Sequence, residues 1–210
     1  MTKEKITLLP NYSGLPLEAG LDEVGRGCLA GPVVAAAVIL PPDYFHPTLN
    51  DSKLLSKKQL ENLREAICKE AICWSISEVA SSVIDQINIS QASFLAMHQA
   101  VKALQTLPEY LIVDGNQFKI YPGIPHTSIV KGDTKYLSIA AASVLAKTYR
   151  DDIMVKLAEQ YPGYGWEQNV GYPTQVHRQA IQEKGVTPYH RLSFRLSPEP
   201  VDVVSKITTR

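Results

Sequence analysis

The chain has 210 residues, 45% hydrophobic and 20% charged, which suits one globular domain with a substantial core. Its formal net charge of +0 speaks against a protein that coats nucleic acid without selectivity, although a local basic patch can still bind it. Three cysteines without CxxC spacing argue for reduced thiols and against a disulfide framework or zinc site. The most apolar stretch, Leu29 to Leu40, is too short and too broken by Gly31 and Pro32 to span a bilayer.

Residues 1–16 read as a lead-in; Met1 to Pro10 is short and charged, so a cytoplasmic location is expected. Ala19 to Val24 and Val33 to Leu40 read as strands rich in small and β-branched residues, joined through Gly25-Arg26-Gly27. Ser56 and Gln59 form a capping box for a helix that buries Leu60, Leu63 and Ile67. Ile72 to Val79 alternates as a strand does. A second helix is expected after Ser90, with Phe94, Met97, Val101 and Leu104 at core spacing. Tyr110 to Val113 and His126 to Val130 are short strands. Tyr136 to Gln160 is a long helix whose Ala140-Ala141-Ala142-Ser143 run lets it lie close to a sheet, and Pro162-Gly163 ends it. A shorter helix, Thr174 to Lys184, precedes the basic segment His190 to Arg195. Early strands followed by helix–strand alternation give an α/β fold, a mixed β-sheet flanked by helices with a small helical C-terminal part.

Four carboxylates carry the chemistry: Asp22 and Glu23 in sequence, Asp114 closing Leu111-Ile112-Val113, and Asp133 after Lys131-Gly132. The first three sit at ends of apolar strands and all have glycine nearby, so a bulky ligand can approach. Acids gathered at one cleft repel unless a cation lies between them, and hard divalent ions such as Mg²⁺ or Mn²⁺ take carboxylate oxygens and bridge to phosphate. Adjacent strand residues face opposite ways, so Asp22 and Glu23 share a metal only where the strand ends or twists. Taken singly, Asp114 before Gly115 also suits a turn, and Asp133 a helix cap. Together they point to metal-assisted phosphoryl chemistry.

Around them, the Gly25-Arg26-Gly27 loop can present backbone N–H groups to phosphate or sugar oxygens. Lys53, Lys147, Arg150, Arg191 and Arg195 are candidate phosphate contacts. Tyr172, in Gly171-Tyr172-Pro173-Thr174, can stack on a sugar or base. His177 and His190 lack a ligand-type spacing and read as structural or substrate-rim residues. Residues 1–130 hold 10 Lys+Arg against 13 Asp+Glu, and residues 131–210 hold 11 against 8, so the C-terminal part is the more basic.

Asp22-Glu23-Val24-Gly25-Arg26-Gly27-Cys28-Leu29-Ala30-Gly31-Pro32 resembles the signature of prokaryotic ribonuclease HII. Asp51-Ser52-Lys53, Val113-Asp114-Gly115, Lys131-Gly132-Asp133, Ser138 to Ser143, Gly171-Tyr172 and His190-Arg191-Leu192-Ser193-Phe194 resemble it too, in the family's order, across residues 17–196. The resemblance implies an RNase H-like catalytic domain over residues 17–196 with a tail at 197–210. It implies a two-metal endonuclease acting on RNA-DNA hybrids and on duplex DNA containing ribonucleotides, with Asp22, Glu23, Asp114 and Asp133 holding Mn²⁺ or Mg²⁺. By the same resemblance Gly25, Arg26 and Gly27 read the ribose 2′-hydroxyl, Tyr172 stacks on the next sugar, and Lys53 joins the substrate contacts. A monomer is expected, with a replication sliding clamp as a candidate partner, although no clear clamp-binding peptide follows Arg195. Cys28 stands where many members carry proline. The chain is short for the extra N-terminal domain of ribonuclease HIII. Three other readings stay open on residue chemistry: a strand cutter of the resolvase or integrase kind, a non-catalytic hybrid-binding module, and a small-molecule phosphatase.

Overall fold

The structure, a computed structural model, describes residues 8–49 and 55–196. Among these described residues, five strands form one mixed sheet: β1 (Glu18–Val24), β2 (Val33–Ile39), β3 (Cys73–Val79), β4 (Tyr110–Asp114) and β5 (His126–Ile129), in the order β3-β2-β1-β4-β5. The first three run as an antiparallel meander, while β4 pairs parallel to β1 and β5 parallel to β4. Every residue of β2 is buried, as its unbroken Val-Val-Ala-Ala-Ala-Val-Ile run requires of a strand covered on both faces.

Among the described residues, five α-helices accompany the sheet: α1 (Lys57–Glu70), α2 (Ser81–Ala103), α3 (Leu137–Gln160), α4 (Trp166–Asn169) and α5 (Gln175–Lys184). Helices α1 and α3 cover one face, where Val34, Ala36 and Val38 meet Leu60, Leu63 and Ile67 and the Ala140–Ala146 stretch. Helix α2 covers the other, where Leu21, Ala35 and Ala37 meet Ala92, Ala96, Met97 and Val101. The Ser56–Gln59 capping box closes the start of α1, with both reciprocal bonds present. The end of α3, α4 and α5 enclose a separate small core around Met154, Tyr164, Trp166 and Ala180. Among the described residues, no helix is long and apolar enough to cross a membrane.

Helix α2 begins earlier than the sequence suggests. Ser81 to Ile87 is already helical, and the chain kinks at Asn88, whose φ is 66°. The Asn88 Oδ1 accepts from the N–H of Ser90 (3.0 Å) and of Gln91 (3.1 Å), so Asn88 and not Ser90 caps the second segment. Buried Ile84 anchors the first segment to the core.

Helix α3 crosses β1 so closely that a methyl group on Gly20 would strike the main chain of Ser138 and Ile139. Backbone atoms on a packed helix cannot rotate away as a side chain can. Gly20→Ala is therefore expected to destabilise the fold by about 3 kcal/mol. Urea unfolding checks this; a midpoint unchanged from the parent protein would contradict it.

Candidate active site

The parallel register that sets Leu21 beside Val113 brings Asp22 and Asp114 to the same end of neighbouring strands. Asp22 is buried; its Oδ1 accepts from the Glu23 N–H at 2.7 Å, and Ser143 of α3 supplies a side-chain hydrogen bond. Burial, then the charges of Glu23 and Asp114, hold the Asp22 carboxyl well above the usual range. Burial also raises Glu23, against the pull of Arg26, whose Nη1 lies 2.8 Å from its Oε1. Asp114 is raised chiefly by burial and further by Asp133. Its Oδ1 accepts from the Gly132 N–H at 2.6 Å, which locks the Gly132–Thr134 3₁₀ turn carrying Asp133 against the end of β4. A Cβ at Gly132 would press on the Ile139 Cδ1 methyl and come into contact with that carboxylate oxygen, so the turn passes close to both.

Among the described residues, no three histidine, cysteine or acidic side chains stand at the spacing of a metal's ligand shell. Glu23 is engaged with Arg26 and Asp114 with Gly132, as mutually repelling carboxylates settle on local donors. The donor set itself fits a hard divalent cation: oxygen ligands only, with a burial cost on Asp22 and Asp114 that a cation would offset.

The Gly25-Arg26-Gly27 loop follows β1. Gly25 has φ +92°, and a Cβ there would run into the Arg150 side chain. Arg26 lies at the surface, its side chain 49% exposed. The sequence expectation that Arg150 and Arg191 contact phosphate is not met: both are fully buried and bind main-chain carbonyls. Arg150 donates from Nε to Pro32 O (2.9 Å), from Nη1 to Val170 O (2.7 Å) and from Nη2 to Ala30 O (3.0 Å). Arg191 donates from Nη1 to Arg26 O (2.9 Å), from Nε and Nη2 to Gly31 O (3.0 and 2.9 Å), and from Nη2 to Pro32 O (3.1 Å). Burial pulls Arg191 down to about 10, which still leaves it charged at neutral pH. A further bond joins Leu29 N–H to Gly171 O at 2.8 Å, so the glycine-rich loop and the Tyr172 loop are stitched into one surface. Tyr172 stands there 42% exposed, its hydroxyl hydrogen-bonded to the Cys28 thiol. Lys147 is surface-paired with Asp151 at 2.8 Å, and Arg195 is exposed. Lys53, with Asp51 and Ser52, lies outside the described residues, as does the tail at 197–210.

A family model described as ribonuclease HII matches residues 19–197. The chain belongs to the ribonuclease HII family. It is a metal-dependent ribonuclease H, a hydrolase acting on RNA paired with DNA. It is 60% identical over 192 residues to the ribonuclease HII of Parabacteroides distasonis, covering 91% of this chain and 96% of that one. Among solved structures, the ribonuclease H2 of Pyrococcus horikoshii shares the fold with TM-score 0.75 at 23% identity, covering 86% of this chain and 94% of that one. The ribonuclease HII of Archaeoglobus fulgidus, solved in complex with PCNA, matches with TM-score 0.70 at 25% identity over 89% of this chain and 98% of that one.

In the sequence Ser143 is only one of a run of small residues, and His177 and His190, without ligand-type spacing, are expected to be structural or substrate-rim residues. The structure buries both imidazoles together, and burial depresses both, His190 to about 4 with the neighbouring His177 adding to the effect. In an unfolded chain each would take up a proton near pH 6.5. The unfolded state therefore binds more protons between about pH 6.5 and pH 4, and stability is lost as pH falls through that window. His190 alone contributes on the order of 3 kcal/mol to that loss. An imidazole titration followed by NMR should place His190 near pH 4; a midpoint near 6.5 would refute the burial effect.

Proposed function

We propose that this ribonuclease H cuts on the 5′ side of single ribonucleotides embedded in duplex DNA, besides cleaving the RNA strand of continuous hybrids. Asp22, Glu23, Asp114 and Asp133 serve as catalytic metal ligands for two Mg²⁺ or Mn²⁺ ions. The observation that supports this most is the union of the Gly25-Arg26-Gly27 loop with the Tyr172 loop beside the Asp22–Asp114 pair. RNA differs from DNA at the 2′-hydroxyl, so a reader needs main-chain groups close to that atom, and a glycine-flanked loop provides them. Gly25, Arg26 and Gly27 take that role. Tyr172, exposed beside them, stacks on the sugar that follows, and Lys53 contributes a phosphate contact.

Divalent ions held by the four carboxylates would supply a deprotonated water and neutralise charge on the phosphate and the departing oxygen. The rest falls to the chain: Asp22 and Asp114 present their oxygens from rigid strand ends, Gly132 fixes the orientation of Asp114, and Arg26 holds Glu23. The water oxygen joins phosphorus, the bond from phosphorus to the 3′ oxygen breaks, and that oxygen takes a proton. The products carry 5′-phosphate and 3′-hydroxyl ends. The protein works in the cytoplasm as a monomer, and the clamp complex of the Archaeoglobus relative supports a replication sliding clamp as partner.

An end-labelled duplex with one ribonucleotide, beside an all-DNA control, tests the reading in Mg²⁺, Mn²⁺ or chelator. A metal-dependent cut 5′ of the ribonucleotide and an intact control are expected. Equal cutting of both duplexes would replace this reading with a general strand cutter.

A further inference from the structure

The small C-terminal core holds Trp166 and His177 fully buried and His190 2% exposed. Their hydrogen bonds admit one consistent arrangement of protons. The Thr187 N–H can only donate, and it points at His190 Nδ1 at 2.9 Å, so the His190 proton sits on Nε2. The Trp166 Nε1–H can only donate, and it points at His177 Nε2 at 2.9 Å. His190 Nε2–H converges on the same His177 nitrogen from 3.2 Å. His177 is therefore neutral with its proton on Nδ1, and that N–H donates to the Tyr172 carbonyl at 2.9 Å. The Thr174 N–H takes the other side of that oxygen at 2.8 Å.

The loop needs such a hold. Val170 has φ 42°, a left-handed conformation that costs a β-branched residue energy, and Gly171 follows at φ 87°. Arg150 grips the strained turn at Val170 O, and His177 grips its far side at Tyr172 O. We propose that His177 is a positioning residue for substrate discrimination: its Nδ1–H, kept in that tautomer by Trp166 and His190, fixes the main chain of Tyr172 and so the ring that meets the nucleic acid. This rests on the reading of Tyr172 as the residue that stacks on the sugar beside the cut.

Two substitutions separate the two nitrogens of the imidazole. His177→Asn places an amide N–H near the Nδ1 position and keeps the Tyr172 bond. His177→Gln reaches the Nε2 position, accepting from Trp166 and His190, and leaves the Tyr172 carbonyl without this donor. The readout is the ratio of cleavage rates on an embedded-ribonucleotide duplex and a continuous hybrid. Taken within each variant, it cancels any change in the fraction folded. His177→Gln is expected to lower the ratio about tenfold, the scale of one lost aromatic stack, and His177→Asn to stay within about threefold of the parent. In a Tyr172→Ala background neither substitution should move the ratio further. If Tyr172→Ala lowers the ratio while both His177 variants keep the parental value, or both lower it equally, this inference falls alone. If Tyr172→Ala leaves the ratio unchanged, the reading of Tyr172 falls and this inference with it.

Discussion

Asp22→Asn is expected to remove at least about a thousandfold of the turnover, while leaving the metal-free protein as stable as its parent or more so. The two effects have one origin. Asp22 is buried at the end of β1, with Glu23 and Asp114 near enough to oppose its ionisation. A charge held so unfavourably in the bare protein is well suited to binding a cation and poorly suited to anything else. Its raised pKa means that the folded state retains a proton the unfolded state has released. In the metal-free protein, stability therefore falls as pH rises through the window above the ordinary aspartate value. Asparagine has the same shape and no charge, so the stability gap in its favour should widen from acidic to neutral pH. Added Mg²⁺ or Mn²⁺ should raise the melting temperature of the parent and raise that of the variant much less. Thermal unfolding with and without metal, alongside cleavage of the ribonucleotide duplex, measures both effects. A variant that still cuts at a tenth of the parental rate would remove Asp22 from the ligand set.

Much of this site was legible in the sequence because local rules write it. Asp22 and Asp114 close apolar runs, and the runs are strands for the reason apolar runs usually are: they are covered on both faces. The Ser56–Gln59 box and the Leu60, Leu63 and Ile67 stripe are likewise local, and the structure has them where the pattern puts them. Features that depend on distant partners were not legible. Arg150 and Arg191 sit in polar surroundings in sequence and look like solvent-facing cations. Their acceptors lie 118 to 120 and 159 to 165 residues away, except Val170, so nothing near them in the chain signals burial. The same holds for His177 and His190, whose meaning is the pairing itself. Helix α2 was misplaced for a different reason. The sequence pattern starts the helix after Ser90, but its first segment already runs from Ser81, and the Asn88 side chain caps the second by accepting from the Ser90 and Gln91 N–H groups.

The burial of two arginines also changes how the charge pattern is read. Residues 131–210 are net positive by count, yet two of their 11 basic residues are committed to carbonyls in the interior. Under the proposed function, phosphate attraction would then fall to exposed cations such as Arg26 and Lys147, which pair with Glu23 and Asp151 in the structure, and to bound divalent ions. This favours recognition through close main-chain contact over long-range electrostatic capture, in keeping with a chain of zero net charge.

Arg191→Met should accordingly act through the glycine-rich loop and not through phosphate binding. The guanidinium serves the carbonyls of Arg26, Gly31 and Pro32 at once, in a site with no exposure to water, and lies 5.1 Å from the Phe194 ring. Methionine fills much the same volume but leaves those acceptors without this donor, at a cost of about 1–3 kcal/mol for each one not otherwise satisfied. A net loss of about 4 kcal/mol is expected in urea unfolding, above that for Gly20→Ala. Arg191→Lys keeps the charge but has one nitrogen for three carbonyls, so it should recover only part of the loss. Because Arg191 holds the Arg26 carbonyl directly, the loop proposed to read the 2′-hydroxyl loses its support even in molecules that remain folded. Cleavage of the embedded-ribonucleotide duplex should then fall more than cleavage of a continuous hybrid, where many positions offer a ribose. A surface phosphate contact behaves otherwise: its loss would leave the unfolding midpoint in place, weaken both substrates alike and reduce the salt dependence of binding. That second pattern in Arg191→Met would return Arg191 to the phosphate contacts that its sequence position suggests.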